Sequence, residues 1–169
     1  MTQPAITSYG DRSSSAPSEL GTFSFLIGKW EGRGKVKLPD GKLAEFPVSL
    51  IGRYILDGTA IADELHSLAP DGSPYLGISL RQYDSHRKTW VVEYLNVSNS
   101  FIRRQVNASS GSVRVNGKTV TVTSESPETI SREHYRVADH DNFDYSIDLS
   151  TDGGNSWTER QIEMAFRRV

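Results

Sequence analysis

A chain of 169 residues has room for one domain that buries about 70% of the surface its unfolded form would expose. Its 19 lysines and arginines and 21 aspartates and glutamates form no single-sign block, which argues against nucleic acid or membrane surfaces as partners. The chain has no cysteine, which excludes disulfides, thiolate nucleophiles and cysteine-ligated metals. No stretch resembles a signal peptide or reaches transmembrane length, so we expect a cytoplasmic protein.

The N-terminal segment differs in composition from the rest of the chain. Residues 1–19 are rich in Ser, Thr, Pro and Gly and hold few large apolar side chains, so we predict a flexible tail there. Residues 20–169 are predicted to form a single domain. It opens with Phe23, Phe25, Leu26 and Ile27, a cluster too short for an independent helix and suited to a helical plug at one end of the domain.

From residue 29 onward, apolar residues recur with the period of two that is typical of β-strands. Breakers with turn chemistry, such as Asp57-Gly58 and Asn116-Gly117, separate the strands and favour hairpin turns. The predicted strands cover residues 29–38, 42–56, 60–67, 75–83, 88–96, 101–108, 112–116, 118–125, 129–137, 142–150 and 156–168.

The connections between these strands are nearly all of hairpin length, whereas parallel pairing needs crossovers of about a dozen residues or more. The pattern therefore predicts an all-β, up-and-down antiparallel meander. A meander of this length must close or split, because an open sheet leaves unpaired edges and an uncovered apolar face. We predict a closed barrel of about ten strands, with a two-sheet sandwich as the alternative. A barrel of that size encloses a lumen that holds a small molecule.

The segment Phe25-Leu26-Ile27-Gly28-Lys29-Trp30 resembles the opening of lipocalin-like, or calycin, barrels, in which Gly-x-Trp begins the first strand. The spacing of three later motifs resembles a large uncharacterised bacterial family of unknown function with this barrel; they are Tyr54-Ile55-Leu56-Asp57-Gly58, Leu80-Arg81-Gln82-Tyr83-Asp84 and Asp152-Gly153-Gly154-Asn155-Ser156-Trp157. The resemblance covers about residues 23–169 and implies the fold rather than an activity. In lipocalins an arginine from the end of the barrel packs over the motif tryptophan, a role that falls here to Arg167 or Arg168. A guanidinium stacked on the indole closes this end of the barrel while its N–H groups remain able to form hydrogen bonds.

The glycine and tryptophan spacing is also similar to nitrobindin, a ten-stranded haem barrel whose iron takes a histidine near the chain end. This chain departs from that pattern, because its last predicted strand, 156–168, contains no histidine. We therefore expect neither haem nor any other cofactor. The four histidines are scattered, without the spacing of metal ligands, so we expect no metal site.

Glu64 and His66 are the candidate catalytic residues. They lie two apart on one predicted strand and therefore on the same face of the sheet. If that face is the lumen, a carboxylate and an imidazole share an enclosed site in which burial can shift both pKa values toward acid–base use. If it is the outer face, the pair is simply solvated. Alternating polar residues on antiparallel strands usually mark the wet side.

The candidate ligand-binding residues are Trp30, Arg81, Tyr83, Trp90 and Tyr94. The strand that carries Arg81 and Tyr83 has Leu and Ile on its opposite face, and the strand of Trp90 is apolar on both faces. The alternation therefore does not determine which face of these strands points inward. A ligand-binding lumen combines apolar walls with a few polar groups. We predict that Glu64, His66, Arg81, Tyr83 and Tyr94 converge on one cavity, because their strands are neighbours in the meander.

Two further motifs admit a structural explanation. Residues 131–136 place Arg132, His134 and Arg136 on one face, and we assign that face to solvent because buried, unpaired charges are costly. Ser150-x-Asp152-x-Gly154-x-x-Trp157 matches the Asp-box of sialidase propellers, and a single copy indicates a hairpin stabilised by Asp152.

These features leave three functions open. The first is binding of a small hydrophobic or amphipathic molecule in the lumen. The second is a cofactor-independent enzyme of the isomerase, lyase or hydrolase type, acting on such a ligand with Glu64 or His66 as the base. The third is an interaction module that forms a homodimer through a two-faced apolar strand such as 88–97. Fold class alone does not choose among them.

Overall fold

The computed structural model describes residues 9–69, 71–98, 101–105, 112–125 and 128–169. One 3₁₀ helix, Ser18–Leu26, precedes the strands; we call it the plug. The eleven strands of the described residues are β1 Gly28–Lys37, β2 Leu43–Ile55, β3 Ala60–Leu68, β4 Pro74–Asp84, β5 Thr89–Ser98, β6 Phe101–Gln105, β7 Ser112–Asn116, β8 Thr119–Glu125, β9 Ile130–Val137, β10 Asn142–Ser150 and β11 Thr158–Arg168. No helix in the described part of the chain has the length and apolar character needed to cross a membrane.

All eleven strands belong to one antiparallel sheet, in which each strand pairs with its neighbours in sequence. The sheet curls round so that β1 also pairs with β11, with Trp30 opposite Arg168. In the described part of the chain β6 and β7 form the edges of the sheet, and β5 contacts β7 across the seam between them. The predicted all-β meander is thus confirmed as a nearly closed, lipocalin-like barrel rather than a sandwich.

The plug closes one end of the barrel. Its residues Leu20, Phe23 and Leu26 are fully buried. The Phe23 ring meets Trp90 edge-on, with ring centroids 4.9 Å apart, while Phe25 lies 5.4 Å from Phe143. Aromatic contacts of this kind add to the free energy of burial. The expected helical plug is therefore present, and it rests on the barrel's own aromatic side chains.

The Gly-x-Trp opening of β1 has a direct physical role. Trp30 is buried and donates its indole N–H to the Leu26 carbonyl oxygen, 3.0 Å away. The Arg168 guanidinium lies 4.1 Å from the Trp30 ring centroid and donates to the Ile27 carbonyl oxygen. At Gly28, φ is +125°, and a Cβ there would lie 2.3 Å from the Arg168 side chain. A glycine is thus required for the guanidinium to cover the indole.

The segment before the plug lies against the barrel. The Tyr9 carbonyl oxygen accepts a hydrogen bond from the Tyr54 N–H, and the Ser13 N–H donates to the Gly58 carbonyl oxygen. Residues 1–8 of the predicted tail lie outside the described residues. The boundary between tail and domain, predicted at residue 20, remains a prediction.

The Asp-box forms the expected hairpin between β10 and β11. Asp152 accepts hydrogen bonds from the Ser156 N–H and hydroxyl, and the Ser150 hydroxyl also donates to it. These hydrogen bonds lower the pKa of the Asp152 carboxyl to about 2, and the bond from the Ser156 hydroxyl has the largest effect. Trp157 lies beneath the turn and donates to the Gly154 carbonyl oxygen.

Candidate functional site

A cavity of about 500 Å³ occupies the barrel interior. It extends from the layer beneath the plug toward the opposite end, where Leu68, Ala69 and Thr129 line it. Its walls are mainly apolar and come from strands on all sides; they include Val36, Phe46, Leu50, Leu65, Val92, Phe143, Ile147, Leu149, Ile162, Met164 and Phe166. Such a volume lies in the range of roughly 300–1,000 Å³ that is typical of small-molecule sites.

Polar groups converge at the plugged end of this cavity. Arg81 on β4 forms an ion pair with Asp63 on β3, and their side chains are only 2% and 5% exposed. Arg81 also donates to the Tyr135 hydroxyl on β9, 3.0 Å away. The Tyr135 hydroxyl in turn donates to Oε2 of Glu133 at 2.9 Å. Four side chains from three strands thus form one hydrogen-bonded network facing an otherwise apolar space.

The plug supports this network from below. The Arg81 guanidinium carbon lies 5.2 Å from the Phe23 ring centroid and 5.8 Å from that of Tyr135. Aromatic faces stabilise a desolvated cation, which partly offsets its burial. The Nε of Arg81 is buried and has no hydrogen-bond partner among the described residues. One donor of this buried arginine thus lacks a partner within the described part of the chain, which adds to the cost of its burial.

A second pair of phenols lies farther from the plug. The Tyr94 hydroxyl on β5 donates to the Tyr75 hydroxyl on β4, 3.0 Å away. The Tyr94 ring lies across Gly77, where an added Cβ would come within 2.1 Å of the hydroxyl oxygen. Gly77 therefore provides the space that lets Tyr94 lie along the cavity wall.

The cavity keeps its tyrosines neutral. Burial is the main cause that raises the pKa of Tyr94, Tyr135 and Tyr145 well above the ordinary value. The negative charge of Glu133 raises all three pKa values further, while Arg81 lowers that of Tyr135 in part. These phenols therefore act as neutral hydrogen-bonding groups at physiological pH.

Two of the seven predicted site residues line the cavity. Arg81 and Tyr94 point inward, as expected. Trp30, Tyr83 and Trp90 lie instead at the plugged end, outside the cavity lining. Trp90 packs on Phe23 and lies 5.5 Å from the Tyr83 ring, so these aromatics support the plug layer.

Glu64 and His66 lie on the outer face of the barrel, which corrects the predicted convergence with Arg81. Their side chains are 41% and 52% exposed, and Glu64 lies 3.6 Å from the Arg53 guanidinium. The cause is the alternation of β3, which presents Asp63, Leu65 and Ser67 to the cavity. A carboxylate and an imidazole do share one face, but that face is the solvated one.

Sequence reasoning did not select Asp63, Glu133 or Tyr135 as site residues. Glu133 and Tyr135 alternate along β9 with Arg132, His134 and Arg136, the residues predicted to face solvent, and both of them line the cavity. The sequence did contain a signal for the inward position of Glu133 and Tyr135. Because Arg132, His134 and Arg136 are too costly to bury unpaired, the alternate residues of the strand are left to face inward.

The outer face of β9 is ion-paired and solvated, as expected. Arg136 pairs with Asp144, and His134 contacts Asp148 at 3.0 Å. Arg132 stacks on Trp157, with its guanidinium carbon 3.7 Å from the ring centroid. Within the described ranges, no group of three or more His, Asp or Glu side chains is arranged to hold a metal ion.

Comparisons with known proteins agree with this architecture. Residues 18–168 match the model of a family described as "Protein of unknown function (DUF1579)". A search of the curated proteins finds no significant match. The structure of Rv2717c from M. tuberculosis is similar with a TM-score of 0.59 and 19% identity, over 91% of this chain and 99% of that one.

A second similar structure is the S-type phycobiliprotein lyase CPES from Guillardia theta. It has a TM-score of 0.58 and 10% identity, over 88% of this chain and 91% of that one. At these identities both likenesses show a shared barrel fold.

Proposed function

The chain belongs to the DUF1579 family of unknown function, and from its cavity we propose that it binds a small, largely apolar organic molecule inside the barrel. The observation that carries this proposal is the apolar space of about 500 Å³ that ends on the Arg81–Asp63–Tyr135–Glu133 network. Apolar walls supply the free energy of binding, and a few polar groups fix the orientation of the ligand.

The relation between walls and network supports an amphipathic ligand rather than a hydrocarbon. The Glu133 carboxylate and the Tyr135 hydroxyl lie toward the plugged end, and apolar walls extend from them to the opposite end. A ligand that enters with its polar group first satisfies this end of the cavity and places its apolar body against Leu50, Ile162 and Phe166. The named function of the similar phycobiliprotein lyase is consistent with a barrel that handles small molecules, although the likeness itself concerns the fold.

Binding can be tested with a neutral dye whose fluorescence rises in apolar surroundings, such as N-phenyl-1-naphthylamine. The native protein is expected to bind it with saturation at one site. Leu65→Trp should abolish binding, because the indole would fill the space that Leu65 borders. Val91→Trp is the matched control, since Val91 lies on the outer face and is 42% exposed.

Three results would contradict this proposal: no saturable binding by the native protein, equal loss in both variants, or full binding by folded Leu65→Trp. Native mass spectrometry of the protein purified from its source provides a second readout. A retained organic mass that disappears in Leu65→Trp and persists in Val91→Trp would identify the natural ligand in the same cavity.

Binding ranks above acid–base catalysis because of where the carboxylates lie. Glu64 and His66 face solvent, so a general base in the cavity would have to be Asp63 or Glu133. Asp63 is already paired with Arg81, and Glu133 already accepts the Tyr135 hydroxyl. We therefore propose a site without turnover. Conversion of a bound ligand that is lost in Glu133→Gln would instead establish the enzyme.

The outer face of β4 favours a second, compatible role in forming a homodimer. Leu76, Ile78 and Leu80 point away from the cavity, and Leu95 on β5 pairs with Ile78 on the same face. Contiguous outward apolar side chains are typical of contact surfaces. We propose that a second copy covers this face. Ile78→Glu should then convert a dimer to a monomer in light scattering, and a monomeric native protein at tens of micromolar would contradict it.

For location we propose the cytoplasm. A chain without cysteine derives no stability from an oxidising compartment. Fractionation of the source cells tests this, and recovery of the protein in an envelope or secreted fraction would refute it.

A further inference from the structure

The charges on the described side chains that line the cavity do not balance. Among the described side chains that line it, two carry a carboxylate, Asp63 and Glu133, and one carries a guanidinium, Arg81. The ion pair with Asp63 compensates Arg81. Glu133 has only a neutral donor beside it in this network, the Tyr135 hydroxyl. The described lining thus carries one carboxylate in excess over its cation.

Aromatic rings surround that carboxylate. Tyr135 donates to Glu133, and the Tyr145 ring lies 4.9 Å from the Tyr135 ring, centroid to centroid. Tyr94 lines the same cavity as Glu133, whose negative charge contributes to the raised pKa of the Tyr94 phenol. Three tyrosines from three strands therefore share the cavity with one half-buried carboxylate. The negative faces of aromatic rings attract cations, and the attraction strengthens when water is excluded.

We propose that the ligand is an amphipathic organic cation, whose ammonium group lies beside Glu133 among Tyr94, Tyr135 and Tyr145 and whose apolar body lies along the cavity toward the end opposite the plug. This inference rests on the proposed ligand-binding function and names the class of ligand. The carboxylate supplies the counter-charge, the rings supply cation–π contacts, and the apolar walls hold the body of the molecule.

The same arrangement disfavours anionic amphiphiles such as fatty acids. A carboxylate ligand would need Arg81 as its partner and would have to compete with Asp63, which already holds the guanidinium. It would also lie close to Glu133 in a medium of low dielectric constant, where like charges repel strongly. Because burial keeps the tyrosines neutral, they neither compensate an anion nor repel a cation.

Three probes with one alkyl chain and different head groups test the proposal: decyltrimethylammonium, decanol and decanoate. Binding to the full-length protein is measured by isothermal titration calorimetry at pH 7, below the concentration at which each probe forms micelles. The cation is expected to bind at least about tenfold more tightly than the anion, a difference of roughly 1.4 kcal/mol, with the alcohol between them.

Two substitutions that change the net charge by the same amount show whether the preference for the cation arises at Glu133. Glu133→Gln should lower the affinity for the cation by about tenfold or more and change the affinity for decanol by no more than about twofold. The reason is that the amide keeps an acceptor for the Tyr135 hydroxyl but carries no charge. Glu31→Gln removes a charge from the outer surface, where Glu31 is 62% exposed, and should change neither affinity. Circular dichroism establishes that both variants fold.

Decanoate binding as tightly as the cation, or equal cation affinities in both variants, would overturn the inference. If Glu133→Gln does not fold, the order of the three probes on the native protein decides alone. If decanol and the neutral dye bind without any preference for the cation, only the inference fails. If no probe and no dye binds, the proposed function fails with it.

Discussion

The buried ion pair between Asp63 and Arg81 makes a quantitative prediction about stability. Both side chains are almost completely buried, and the pair is surrounded by Phe23, Tyr135 and apolar walls. Removing one partner leaves an uncompensated charge in that environment, which costs about 3–5 kcal/mol. We therefore expect Asp63→Leu and Arg81→Met each to lower the free energy of unfolding by about that amount.

The double variant should be far more stable than the sum of the single effects predicts. Replacing both charges with apolar side chains is often neutral or stabilising, by about 1–4 kcal/mol. The Tyr135 hydroxyl loses contact with Arg81 but keeps Glu133, so the remaining cost is small. We expect the free energy of unfolding of the double variant to lie within about 2 kcal/mol of the native value, which corresponds to a coupling energy of several kcal/mol between the two sites.

Urea unfolding followed by tryptophan fluorescence measures these free energies. Arg136 and Asp144 provide a matched control pair, since their side chains are 70% and 46% exposed. Arg136→Met, Asp144→Leu and their combination should give a coupling energy of only about 0.2–1 kcal/mol. Equal coupling in the two cycles would refute the reasoning. If a single variant at Asp63 or Arg81 does not fold, a double variant that folds still shows the coupling, and one that does not fold contradicts it.

Three further predictions concern other parts of the barrel. Trp30→Ala should cost about 3–5 kcal/mol in urea unfolding, because it removes a buried ring beneath the plug and the stacking partner of Arg168; a cost below about 1 kcal/mol would contradict this role. In ultraviolet titration, Tyr135 and Tyr145 should stay protonated through pH 10 while the fold persists, and ionisation of every tyrosine near pH 10 in the folded protein would contradict this. Because folding raises both pKa values, the stability that these tyrosines contribute is present below pH 10 and is lost as the pH rises further. The pKa of Asp152 is lowered from 3.8 to about 2, so native protein should be more stable than Asp152→Asn above pH 4, with the difference disappearing as the pH falls toward 2; a difference independent of pH would exclude this carboxylate as its source.

The strands were predictable because their breakers have specific chemistry. All eleven predicted segments correspond to observed strands, with ends that differ by at most two residues, and residues 106–108 of the sixth predicted strand lie outside the described residues. Turn residues such as Asp57-Gly58 and Asn116-Gly117 interrupt the period of two, and Gly58 and Gly117 adopt the positive φ that those turns require. Hairpin-length connections then leave few topologies other than a meander, and the number of strands drives the sheet to curl round on itself.

The inward face of each strand was harder to predict because both faces of the central strands contain apolar residues. On β4, Leu76, Ile78 and Leu80 look like a core face but point outward, whereas Arg81 points into the barrel. On β3, the apolar run at residues 60–62 carries no alternation that would set the phase. Local hydrophobicity therefore did not indicate that Glu64 faces solvent.

Charge pairing between neighbouring strands resolves this ambiguity. In the register between β3 and β4, Asp63 lies opposite Ser79 and Ile61 opposite Arg81, so Asp63 and Arg81 are diagonal neighbours on one face. Glu64 shares the other face with Ile78. Turning that face inward would bury Glu64 together with its neighbours Arg53 and His66, whereas the observed choice buries only the single ion pair of Asp63 and Arg81. Because each buried charge carries a desolvation cost, the orientation that buries one compact ion pair is favoured over the one that buries the larger polar cluster.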